Sequence, residues 1–100
     1  MTAVVRPTMM VEGSLVTWLD TGYRVEVAID GDTFVVYLDT TPTGRRLTIV
    51  EPGSVYGLAA PSIALDALGR LRHVEAGYVT PRYLAAAAKA LRALELDGVL

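Results

Sequence analysis

The sequence predicts an α+β domain: an N-terminal antiparallel β-meander of three to five strands, followed by two C-terminal α-helices packed on one face. Three observations carry this. Residues 14–51 alternate apolar and polar side chains between short turn signals. From about residue 61 the apolar spacing lengthens to three and four. The stretch TPRYLAAAAKALRAL, Thr80–Leu94, is rich in the two best helix formers, alanine and leucine. A length of 100 residues suits one domain, with the meander over about 3–51 and the helical part over about 61–96.

Four segments read as the meander: SLVTWLD (14–20), YRVEVAID (23–30), TFVVYLD (33–39) and RRLTIVE (45–51). Their β-branched and aromatic residues favour strands, and TG, DGD and TPTG separate them as turns. A four-residue turn at Thr41–Gly44 sets Leu47 beside Leu38 and Ile49 beside Val36. A tip at Gly31-Asp32 sets Ile29 opposite Phe34, and a Thr21-Gly22 turn sets Trp18 beside Val25. A tighter Asp30-Gly31 turn keeps the faces and shifts the partners by two. The first register is preferred because it lines up Arg24, Asp39 and Arg46 as alternating charges on the solvated face. Residues 3–11 offer a further strand, in which Pro7 argues for an edge or a break.

After a loop at 51–61, the residues Ala64, Ala67, Leu68, Leu71 and Val74 fall on one face of a helix over about 61–75. Pro61 suits its first turn and Gly77 its end, while Gly69 inside it is unfavourable by about 1 kcal/mol against alanine. The last helix starts at a Thr80 cap with Pro81 in its first position and ends at Asp97-Gly98. Its arc of Tyr83, Leu84, Ala87, Leu91 and Leu94 should enter the core. Beside that arc runs a stripe of small residues, Ala86, Ala90 and Ala93, which lets a neighbouring helix approach closely. The neighbour would be the 61–75 helix or a second subunit; alternatively, alanine simply fills a helix surface.

Composition narrows the function classes. Hydrophobic residues make up 52% of the chain, so a dense core or an interface is expected rather than disorder. There is no cysteine, which excludes disulfides, thiolate nucleophiles and cysteine-ligated metal. No segment resembles a secretory signal or a membrane span, so a cytoplasmic setting is expected. Asn and Gln are absent and eight of nine bases are Arg, the codon bias of a GC-rich genome, with heat adaptation as a second explanation.

No catalytic set stands out. His73 is the only histidine and its neighbours specify no partner for a general base. Asp30, Asp32 and Asp39 lack the spacing of a cation loop, and the glycines fit no phosphate-binding fingerprint. No cofactor or metal is therefore expected. The net charge of −2 divides unevenly, −3 over residues 1–60 and +1 over 61–100. Arg70, Arg72, Arg82, Lys89 and Arg92 make the second half locally basic.

These readings lead to a small non-enzymatic interaction or regulatory protein. It is expected to form a homodimer, or to bind another protein, through the C-terminal helices with Ala86, Ala90 and Ala93 at the interface. A second reading is a nucleic-acid-binding accessory protein that meets phosphates with Arg70, Arg72, Arg82, Lys89 and Arg92. A third is a small-molecule pocket near Trp18, Tyr23 and Tyr56, although Trp18 is also suited to filling core space.

Overall fold

The computed structural model describes residues 8–20, 22–54, 60–96 and 98–99. Seven strands form one antiparallel sheet in sequential order, each paired with the next. They are β1 (Met9–Val11), β2 (Ser14–Leu19), β3 (Gly22–Ile29), β4 (Asp32–Thr41), β5 (Gly44–Val50), β6 (Ser62–Leu65) and β7 (Leu71–Ala76). One helix, α1 (Pro81–Leu96), follows and packs mainly on β3, with further contacts to β2, β4 and β5.

Period-2 alternation sends one side of β2 to β5 under the helix. Val16, Val25, Val36 and Ile49 form one buried row across β2 to β5, and all are 2% exposed or less. The next row is Trp18, Tyr23, Leu38, Leu47, Ile63 and Val74. It is buried in its middle and open at both ends, Trp18 and Val74.

The β4–β5 register is the expected one, with Leu38 beside Leu47 and Val36 beside Ile49. The β3–β4 register is the tighter alternative, in which Val27 faces Phe34 and Ile29 faces Asp32. Asp30 and Gly31, at φ 51° and 85°, make the two-residue turn whose twist matches the flanking strands. This local geometry outweighs the charge alignment that favoured the wider turn. Asp39 still faces Arg46, but Arg24 faces Tyr37. The β2–β3 pair moves in the same way, so that Trp18 lies beside Tyr23 and Val16 beside Val25. Of the proposed N-terminal strand, Met9–Val11 is β1, while 3–7 lie outside the described residues.

The largest correction concerns 61–75. This segment is the β6–β7 hairpin, so the described residues form seven strands and one helix where three to five strands and two helices were expected. The reason lies in DALGR, Asp66–Arg70. The Asp66 carboxylate accepts N–H bonds from Leu68 and Arg70, both at 2.9 Å, offering the backbone a turn in place of a helix. Gly69 then takes a positive φ of 79°, which suits glycine and breaks a right-handed helix. Pro61 extends the ladder instead of opening a helix: its carbonyl accepts the Ile49 N–H at 2.9 Å.

The terminal helix forms as its sequence indicates. Thr80 Oγ1 accepts the Tyr83 N–H at 3.2 Å, a side-chain cap of the first turn. At the other end Val99 N–H reaches the Leu94 carbonyl and Gly98 N–H reaches that of Glu95, the paired bonds of a Schellman close. Val99 packs against the core beyond it. Among the described residues no helix is long and apolar enough to cross a membrane.

Candidate functional site

The alanine stripe is turned inward. Ala86, Ala87, Ala90 and Ala93 are at most 2% exposed and belong to the core cluster with Val25, Val27, Val36 and Ile49. The close neighbour that small side chains admit is the chain's own sheet. The surface expected of Ala86, Ala90 and Ala93 is therefore already filled within the chain. Leu91 and Leu94 enter the core as expected, whereas Leu84 is 48% exposed, because α1 is rotated to centre the alanines on the sheet.

Four of the five basic candidates are engaged by the chain itself. Arg82 donates to Asp32 at 2.5 Å and to the Ile29 carbonyl at 3.4 Å, and lies 5.2 Å from the centre of the Phe34 ring. The Asp32 hydrogen bond holds the Arg82 guanidinium above its ordinary pKa, against a smaller opposing effect of desolvation. Lys89 Nζ donates to the Ala28 carbonyl at 2.9 Å, and Arg92 pairs with Glu12 at 3.5 Å. Arg70 pairs with Asp66 at 2.9 Å. Arg72 stands on β7, exposed. The five bases thus divide between the outer edge of the sheet and a helix whose cations stitch it to the β1–β2 and β3–β4 turns.

The remaining titratable candidates are dispersed. His73 lies exposed on β7 opposite Ala64. Asp32 is occupied by Arg82, and Asp39 sits seven residues further along β4, roughly 23 Å away at the rise of an extended strand. Among the described residues no three His, Asp or Glu side chains converge on a common point. On the sheet face away from α1, Arg24 donates to Glu26 at 2.6 Å. Burial alone would lower the Arg24 pKa, but hydrogen bonds with Tyr37 and Glu26 hold it above its ordinary value.

What converges instead is aromatic. Trp18 and Tyr23 face one another across β2 and β3, with ring centroids 5.8 Å apart and planes at 88°. Trp18 is 42% exposed, so it caps the open end of its row rather than filling the core. With Leu19, Asp20, Gly22 and Thr40 the two rings line an open notch of about 490 Å³. The third member expected there, Tyr56, lies outside the described residues. Sequence reasoning named Trp18 and Tyr23 but missed Leu19, Asp20 and Thr40. The tighter β2–β3 and β3–β4 registers bring them together, and the Asp30-Gly31 turn was the available signal for the second.

No protein-family model matches the chain, and neither does any curated protein or solved structure. Function is therefore argued from the site alone.

Proposed function

We propose that this chain is a non-enzymatic interaction module that presents the Trp18 notch to a partner protein. The observation that carries the reading is a half-exposed Trp18 set edge to face against Tyr23, flanked by a 40% exposed Leu19. Large aromatics left at the surface and held rigid by strands are the anchors that dominate protein interfaces. The reading keeps the interaction class that the apolar composition suggests and moves the contact surface from the helix to the sheet. The alanine stripe is already consumed by the core.

Two measurements test it. Sedimentation over a wide concentration range reports self-association, as a rise above the 10.7 kDa protomer mass that Trp18→Ala abolishes. Emission of Trp18, the chain's only tryptophan, titrated with short peptides covering each side-chain class, reports recognition of another protein. A saturable response in either supports the reading. A constant protomer mass together with an unresponsive Trp18 contradicts it.

A further inference from the structure

We infer that the cleft between the β4–β5 turn and the β6–β7 hairpin binds a phosphate monoester, held by Arg45 and Arg72. The site goes beyond the interaction reading and shares no lining residue with the notch at Trp18. Its volume of about 430 Å³ lies in the range of small-molecule sites. Strand pairing explains why the two bases share it. Arg46 lies opposite Ala64, which brings Arg45 beside Leu65 on β6. On the other side of β6, Ala64 and Leu65 face His73 and Leu71, so Arg72 is the extra residue of a β-bulge. Bulges re-aim side chains, and here Arg72 lines the cleft together with Arg45 and the Leu65 between them. The two backbones stand two strand spacings apart, roughly 10 Å, a span that two arginine side chains can close onto one ligand.

Neither guanidinium has an ion pair or a side-chain hydrogen bond among the described residues. This sets them apart from Arg24, Arg70, Arg82 and Arg92, each of which pairs with a carboxylate. Asp66, the one acid in the lining, is already spent on the hairpin. Its Oδ1 accepts the Leu68 and Arg70 N–H groups and its Oδ2 accepts Arg70 Nε, each at 2.9 Å. The charge count selects the ligand. A phosphate monoester carries about −1.5 to −2 near pH 7 and three acceptor oxygens, enough to meet two guanidinium forks at once. A carboxylate has one charge and two oxygens and satisfies one fork. Leu65 and Ala67 in the same lining suit an organic body on the ester, which inorganic phosphate lacks.

The test titrates the full isotope-labelled chain with glycerol phosphate, inorganic phosphate and acetate, following backbone amide shifts. Glycerol phosphate is expected to shift Gly44, Arg45 and Leu71–His73, and to bind about tenfold more tightly than acetate. Arg45→Gln and Arg72→Gln, checked for an unchanged fold by circular dichroism, are each expected to weaken it severalfold. Arg92→Gln, on α1 and outside the cleft, is expected to leave it unaltered. Vesicles of phosphatidic acid in phosphatidylcholine separate the two sources of a monoester. Vesicle binding that Arg72→Gln removes makes the ligand a lipid headgroup, whereas binding of glycerol phosphate alone makes it a free small molecule. Acetate binding as tightly as glycerol phosphate overturns the phosphate assignment, and inorganic phosphate doing so overturns the ester. Shifts scattered over α1, affinity unchanged in both arginine variants, or no saturable shift with any phosphate overturns the site itself. None of these readouts depends on Trp18.

Discussion

At the scale of single residues, the contacts that seat α1 make different claims on pH and on backbone geometry. Tyr83 Oη donates to Glu51 Oε2 at 2.8 Å, and that bond, followed by desolvation, raises the Tyr83 pKa above its ordinary value near 10. The sign follows from linkage: a raised pKa means a contribution present in full below the ordinary value and lost as pH rises through the folded one. Ultraviolet titration should therefore find Tyr83 ionising above the ordinary tyrosine value, and Glu51→Gln should bring it back towards that value. The Asp30-Gly31 turn gives a second residue-scale prediction. Gly31→Ala forces a side chain into positive φ, and denaturant unfolding should show a loss of about 1 kcal/mol. The notch illustrates what single residues disclose in a sequence. Trp18 and Tyr23 stand out as aromatics, but the exposure of Trp18 depends on where α1 stops covering the sheet. No local pattern around position 18 encodes that.

At the scale of elements, the β6–β7 hairpin shows why periodicity alone misleads. Ala64, Leu68, Leu71 and Val74 satisfy a helical spacing, whereas the strands that form instead show no clean alternation: β6 is buried at every position and its pairing with β7 is bulged. Asp66 and Gly69 decide between them by supplying a local acceptor and a positive φ in the middle of the stretch. By contrast, the β4–β5 pairing and both ends of α1 are readable, because TPTG, Thr80-Pro81 and Asp97-Gly98 are each short and chemically specific. The hairpin carries its own pH signature. Asp66 has a lowered pKa, first because the Arg70 N–H bonds its carboxylate, with the Arg70 guanidinium and the Leu68 N–H adding to this against a smaller effect of desolvation. The hairpin contribution is thus present above the ordinary carboxylate pKa and is lost as pH falls through the depressed folded value. A carbon-detected titration should place the Asp66 midpoint below the ordinary aspartate value. Asp66→Ala should speed amide exchange across Leu65–Leu71 while the β3–β4 core stays protected.

For the whole molecule, the governing relation is between the alanine-rich face of α1 and the valine-rich face of the sheet. Val16, Val25, Val27, Val36, Phe34 and Ile49 already fill the space above the strands, so the helix that covers them needs small side chains at its centre. That requirement accounts for the run of alanines better than an external partner does. It leaves the open end of the sheet, at Trp18, uncovered, and that is the surface proposed above to meet a partner. It also explains why the sequence displays the stripe plainly and conceals its neighbour: the spacing of Ala86, Ala90 and Ala93 fixes a face, and only the fold says what lies opposite. The most direct test of this relation is the unfolding free energy of Ala90→Leu, with mass in solution measured on the same samples. The account predicts a loss of roughly 1–3 kcal/mol from overpacking a fully buried site, with the mass unaltered. An Ala90→Leu protein as stable as the wild type but changed in its assembly would contradict it.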